Sequence, residues 1–238
     1  YAVVENANSN GSYSYSTATS ANITTSCAAE TTPTAVQTFA SYTPVCWSEA
    51  TGALTASSTL TGSTSTWGTV AGMGNTGSNA AAKINLYGGS VGTPDNDWLI
   101  SQPIDLGPTT GLKRLNFDYA VTSYNGTTAQ TSLGTHVVRV VVSIDGGATW
   151  SDSNVIKTYA GAGTYSNTGA LEQILLNYSG VVKIGFLTTT TSTSPDLDFH
   201  IDNVSVDTAP NTWLGVTSSS WNVASNWSYG TVPDGTTD

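Results

Sequence analysis

The sequence predicts an all-β protein, a two-sheet antiparallel jelly-roll sandwich. Three observations carry this. Short apolar segments recur at regular spacing with period-two alternation, and almost no stretch shows helical periodicity. β-branched and aromatic residues are abundant, with 7 Trp and 11 Tyr, while only 9% of residues are charged, a balance that suits strands. The 24 glycines and 8 prolines punctuate the apolar segments, as turn residues do. So many short strands bury their apolar faces best as two sheets packed face to face.

The elements follow in order. Residues 1–32 are low in complexity; Tyr13 and Tyr15 alternate with serine, and the segment reads as a flexible lead-in or the tail of a preceding domain. Residues 33–207 read as one sandwich. Phe39 to Trp47 opens it, and "TWGTVAG" and "AAKINLYG" follow, broken by glycines. "DWLISQPIDLG" is a strand ended by Gly-Pro. In "LKRLNFDYAVTS", Leu115, Phe117 and Tyr119 take one face and Asn116 and Asp118 the other, the alternation of a half-buried strand. "HVVRVVVSI" is apolar on both faces and is therefore central. "ALEQILLNYSG" lies among strands and ends at a turn signal, so it is assigned as a strand; "VVKIGFLTTT" and "LDFHIDNVSVD" close the domain. Residues 208–238 change character, with three tryptophans close together, and read as the truncated start of a following module.

Ser143-Ile144-Asp145-Gly146-Gly147-Ala148-Thr149-Trp150 fits S-x-D-x-G-x-T-W, and so resembles the Asp box of sialidase propellers. Those propellers repeat the motif blade by blade, whereas this chain holds one copy. The residues explain it mechanically. Asp145 accepts hydrogen bonds inside a turn, the glycines supply positive φ, and Trp150 folds back over the hairpin. It is a hairpin staple and needs no substrate.

Composition also bounds the partners. The net charge of −10 with only 6 Lys plus Arg disfavours nucleic acid and anionic membrane surfaces. No apolar run is long enough to insert in a membrane. A calcium ion or a neutral polymer suits the charge better, and the chain reads as a monomer that is secreted or at the cell surface. Cys27 and Cys46 lie close in sequence with no histidine nearby, against a zinc site or a Cys–His nucleophile. They form either a disulfide tying the N-terminal segment to the domain or two buried thiols.

"FASYTPVCWSEATG", "DNDWLISQPIDL", "LKRLNFDYAV", "VVVSIDGGATW", "YSGVVKIGFLTT" and "FHIDNVSV" occur in that order. As a set they resemble the cleaved-adhesin, or choice-of-anchor J, type of domain in secreted Bacteroidetes proteins, a relative of the MAM jelly roll. The resemblance spans roughly residues 33–207 and rests on the order rather than on any one piece. It implies a jelly roll, a structural calcium, and a non-catalytic role in adhesion or polysaccharide binding beside an enzyme.

The calcium expectation draws on both lines. In "PDLDFHIDNVSVD", Leu197, Phe199 and Ile201 share one parity and Val204 and Val206 the other, so one extra residue, a β-bulge, is inferred at Asp202-Asn203. A bulge frees carbonyls, and calcium takes six to eight oxygens. Asp202 matches the acid of the family's closing motif, and Asp97 is the second candidate. Gln37 stands where the family has an acid in the opening strand, and offers only a neutral amide oxygen. Asp196 and Asp198, after Pro195, read as loop carboxylates.

Sugar recognition needs flat aromatic faces beside a few polar groups. Trp47, Trp98 and Trp150 fall within strand motifs and are expected inside. Trp67, Tyr87, Tyr124, Tyr159 and Tyr165 neighbour Gly, Ser or Thr and are expected to be exposed. Arg139, a charge inside an apolar strand, needs water, an acid or a ligand. With Asp118 and Lys183 it makes either an ion network, the favoured reading, or a polar binding floor for a sulfated or uronic polymer. No G-x-S-x-G or H-E-x-x-H occurs, and His136 and His200 fall in strands. The one carboxylate pair weighed for catalysis is Asp118 with Glu172. The sequence therefore predicts a non-catalytic carbohydrate-binding module of a larger secreted enzyme. The alternative is a surface adhesin or structural spacer that binds protein or nothing.

Overall fold

The computed structural model describes residues 6–7, 13–14, 27–64, 67–110 and 113–233; Tyr15 and its expected place in a strand lie outside these. Near the start, β1 (Asn6–Ala7) pairs antiparallel with β2 (Tyr13–Ser14). The sandwich follows as β3 (Glu30–Thr31), β4 (Ser48–Thr51), β5 (Thr61–Ser63), β6 (Gly68–Ala71), β7 (Ala80–Gly88), β8 (Asp95–Ile100) and β9 (Ile104–Asp105). It continues as β10 (Lys113–Ser123), β11 (Ser132–Ser143), β12 (Val155–Ala162), β13 (Ala170–Leu176), β14 (Val181–Thr190) and β15 (Ser192–Thr208). The described helical turns are three short 3-10 segments, Met73–Asn75, Asp152–Asn154 and Ala224–Asn226.

The strands form a jelly-roll sandwich. One sheet has the order β13-β10-β15-β7-β6; the other has the order β12-β11-β14-β8-β4-β5, with β9 pairing the start of β14 and β3 lying parallel to β9. The expected "DWLISQPIDLG" strand is thus two strands with a break at Ser101–Pro103. Ser101 bridges the break: its N–H donates to the Ile184 carbonyl at 2.8 Å and its Oγ accepts from the Ile184 N–H at 2.9 Å. β3, ahead of residue 33, already pairs with β9.

Alternation fills the space between the sheets. Leu115, Phe117 and Val121 of β10 and Leu197, Phe199 and Ile201 of β15 face Val138, Val140 and Val142 of β11 and Ile184 and Phe186 of β14, all buried. Phe117 and Phe186 meet edge to face, 5.3 Å between centroids. Full burial of each such side chain is worth about 1.5–3 kcal/mol. The bulge inferred on β15 is present. Register shifts between Asn116 and Asp118 of β10, opposite Asn203, whose φ is 52°. It resets the parity so that Val204 and Val206 point inward after Ile201.

A smaller apolar layer covers the far face of the second sheet. Trp98, Val141 and Leu187 point outward and Trp150 lies over them, its ring 5.0 Å from that of Trp98. The indole therefore leaves the hairpin and packs on the sheet, where Gly185 leaves room for both rings. A Cβ at Gly185 would lie 2.7 Å from Trp150 Cζ3 and 2.9 Å from Trp98 Cε3. The Asp-box turn itself is closed by its own side chains. Asp145 Oδ1 accepts from Ser143 Oγ at 2.7 Å and Thr149 N at 3.0 Å, and Oδ2 accepts from Thr149 Oγ1 at 2.6 Å.

Cys27 and Cys46 form a disulfide. Chain entry and exit share one end of the sandwich: Thr34 N donates to the Val206 carbonyl at 2.9 Å, close to the end of β15. Beyond β15, Trp213, Trp221 and Trp227 cluster with centroids 4.3 to 5.3 Å apart. Buried Asn226 ties this knot, accepting from Thr217 N and Ser218 N and donating to the Ser218 and Ser220 carbonyls.

Candidate functional site

The outer face of the five-stranded sheet is polar, and its centre can be read as a grid across β7, β15 and β10. Lys83, His200 and Ala120 form one row, and Asn85, Asp198 and Thr122 the next. The row beyond is at the end of the sheet. Tyr124 follows β10 and donates its N–H to the Asp196 carbonyl at 3.1 Å. Asp196 leans across to β7, where its Oδ1 accepts from Asn85 Nδ2 at 2.8 Å. Tyr87 follows Leu86 on β7, the residue paired with Leu197. By alternation it takes the same face as Asn85. Tyr87 and Tyr124 are each 51% exposed. The register of β15 with β7 breaks between Ser192 and Leu197, opposite Tyr87, so Asp196 belongs to an irregular stretch of β15 between the two neighbouring strands. An acid and two half-exposed tyrosines are thus gathered at the ends of three neighbouring strands.

The row beneath holds this edge in place. Asp198 is fully buried, and its Oδ2 accepts from Lys83 Nζ at 3.1 Å, Asn75 Nδ2 at 3.0 Å and Asn125 N at 2.7 Å. Lys83 Nζ also reaches Asn125 Oδ1 at 2.9 Å. The turn that carries Tyr124 is therefore pinned from below. Asn75 arrives on the Met73–Asn75 turn, which packs Met73 on Ala81 and Ala120 and closes the lower part of the face. Gly74 permits that approach: its φ is 64°, and a Cβ there would meet the Asn167 carbonyl oxygen at 1.8 Å. Burial holds the His200 imidazole down at about 4, so it is neutral at physiological pH.

The other expected aromatics lie elsewhere. Trp67 is buried in the core with its backbone N–H donating to Glu49 Oε2. Tyr159 is buried with its hydroxyl donating to Glu172 Oε2 at 3.0 Å. Tyr165 is buried with its hydroxyl donating to the Ala160 and Gly161 carbonyls. The expectation that these three are exposed is corrected, and none offers a ring face to a ligand. Gly, Ser and Thr neighbours suggested loops, but the rings fold inward. The two tyrosine hydroxyls find partners at the sandwich margin, and the Trp67 ring joins the apolar core between the sheets.

Arg139 stands half-buried on the outer face of the other sheet. It lines a cleft of about 360 Å³ with Leu54, Pro94, Asn96, Asp152 and Thr189, and makes no ion pair among the described residues. The network favoured with Asp118 and Lys183 does not form. Asp118 is on the first sheet and accepts from Asn203 Nδ2 at 2.8 Å, while Lys183 pairs in register with Ser143, four residues along β11 from Arg139. Nor do Asp118 and Glu172 make a carboxylate pair. Asp118 points outward, and Glu172, across from core Phe117, turns inward to Lys157 at 2.7 Å.

Of the three residues expected to hold calcium, Gln37 pairs with Val204, two residues beyond Asp202 on β15, whereas Asp97 stands apart in the other sheet. Gln37 Oε1 accepts from Phe39 N at 2.8 Å, holding a local turn. Asp202 lies on the five-stranded sheet and accepts from Asn203 N, while Asp97 pairs with Thr188 and Thr51 in the other sheet. Among the described residues no three His, Cys, Asp or Glu side chains converge on a metal position. Both acids are pushed up to about 6, chiefly by burial, with Asp95 and Glu49 adding at Asp97 and Asp118 adding at Asp202.

No family model and no curated protein matches the chain. Solved structures do resemble it. A cleaved adhesin domain of Lys-gingipain from Porphyromonas gingivalis is 13% identical, covering 74% of this chain and 99% of that one, with a TM-score of 0.46. Another from the same protein is 14% identical, covering 70% and 93%, with a TM-score of 0.40. The family 11 carbohydrate-binding module of a cellulosomal cellulase of Clostridium thermocellum is 13% identical, covering 73% and 92%, with a TM-score of 0.39. No described helix is long and apolar enough to cross a membrane.

Proposed function

We propose that this chain is a non-catalytic polysaccharide-binding module of a larger secreted protein, and that it binds through the Tyr87–Asp196–Tyr124 edge. One observation carries the reading: two half-exposed tyrosines stand at one end of the same sheet as a carboxylate bound to an amide. Ring faces stack on the apolar faces of pyranose rings, while the carboxylate and amide meet the hydroxyls between them. A non-catalytic role is supported by the burial of both histidines and by the separation of Asp118 from Glu172.

The test is calorimetry against soluble plant and marine polysaccharides. Truncating an aromatic anchor costs on the order of 2 kcal/mol, about 30-fold in Kd. Tyr87→Ala and Tyr124→Ala are each expected to weaken binding by about that factor at unchanged Tm. Tyr159→Phe, which alters a buried hydroxyl, should leave affinity alone. Absence of binding to every polymer would remove this reading in favour of an adhesin or spacer.

A further inference from the structure

Resting on that reading, we infer that Asp196 is a specificity-determining residue that makes the site select uncharged polysaccharide and reject polymers carrying carboxylates. Asp196 stands with Tyr87 and Tyr124 at one end of the sheet, where a bound chain would lie across it, and its described partner, Asn85, is neutral. No cation pairs with Asp196 among the described residues. The nearest basic side chain in the grid, Lys83, is committed to buried Asp198 at 3.1 Å and so is already neutralised. The edge thus presents net negative charge to its ligand, on a molecule whose total is −10.

A carboxylate of Asp196 only accepts hydrogen bonds. Sugar hydroxyls donate to it, whereas a uronate on the ligand brings a second acceptor-only anion to the same place. Such a pair is repelled at contact distance, and more strongly once the rings have displaced water. Arg139 offers no relief, because it lies on the outer face of the opposite sheet.

The experiment uses matched polymers: mixed-linkage β-glucan, xyloglucan, laminarin and galactomannan. Each is tested native and after oxidation of its primary hydroxyls to carboxylates. Measurements use the whole chain, with and without Arg139→Gln so that the far face contributes nothing. The native polymer is expected to bind about tenfold tighter than its oxidised form at low salt, with the gap closing as salt screens the repulsion. Asp196→Asn keeps an oxygen for Asn85; it is expected to weaken the native polymer by losing charge-assisted bonds to its hydroxyls, while the ratio of native to oxidised affinity falls to about one. Equal or tighter binding of oxidised polymer by the parent chain, or a preference that survives Asp196→Asn, overturns the inference and leaves the polysaccharide reading standing. Absence of binding to all native and oxidised polymers overturns both.

Discussion

Asp145 shows what a single carboxylate does here. Three donors from Ser143 and Thr149 hold it down at about 2, with Thr149 the main cause. Its unfolded value is about 3.9. The stabilisation is therefore complete above about pH 4 and lost as pH falls through about 2. Asp145→Ala is expected to cost about 1–2 kcal/mol at pH 7, a difference that closes by about pH 2 while glycan affinity stays within twofold. Melting and affinity measured on one sample check both; a stable variant that no longer binds would place Asp145 in the ligand site instead. Asp97 and Asp202 have the opposite sign. Folded values of about 6 mean that each costs stability at neutral pH, and the cost fades below about pH 4. Asp97→Asn and Asp202→Asn should each raise Tm at pH 7.5 and change nothing at pH 3.5. A lower Tm at pH 7.5 would mean that a bound cation satisfies these acids. Asp145 was legible in the sequence because all its partners lie within four residues. Asp196 was not: after Pro195 it read as a loop acid, and only the pairing of three strands brings it beside Tyr124 and Asn85.

At the scale of elements, local alternation locates the strands well, and the parity switch between Ile201 and Val204 is by itself enough to place the β15 bulge. What alternation cannot report is which face of a finished sheet another segment covers. Trp150 illustrates this, since its cover over Trp98 depends on Gly185, a position that reads as an ordinary strand glycine. Gly185→Ala would force a methyl into two indole rings. Overpacking of this kind costs about 1–3 kcal/mol, so the denaturant midpoint should fall with m unchanged. A midpoint equal to the parent's would show that the rings shift freely and that this outer layer adds little. The same limit explains Trp67, Tyr159 and Tyr165. Their short polar neighbours suit an exposed turn and the margin of a sandwich equally well, and burial decides between them only after the two sheets close.

For the whole molecule, two packed sheets were the natural outcome of strand-rich sequence with abundant turn residues. The tail was legible as a change of character, but its tryptophan knot was not, because the fixing group is Asn226, a polar residue buried among backbone amides and carbonyls. β15 runs the length of the sandwich, 17 residues from Ser192 beside the tyrosine edge to Thr208 at the end where the chain also enters. At about 3.3 Å per residue, the stretch from Asp196 to Thr208 holds the edge on the order of 40 Å from the exit. The sandwich is consequently a stiff lever arm. Under the proposed function, a neighbour carried on the exit side would pivot about the polymer held at the tyrosine edge and sweep an arc of that radius, so one docking event would open a ring of polymer to it rather than a single spot.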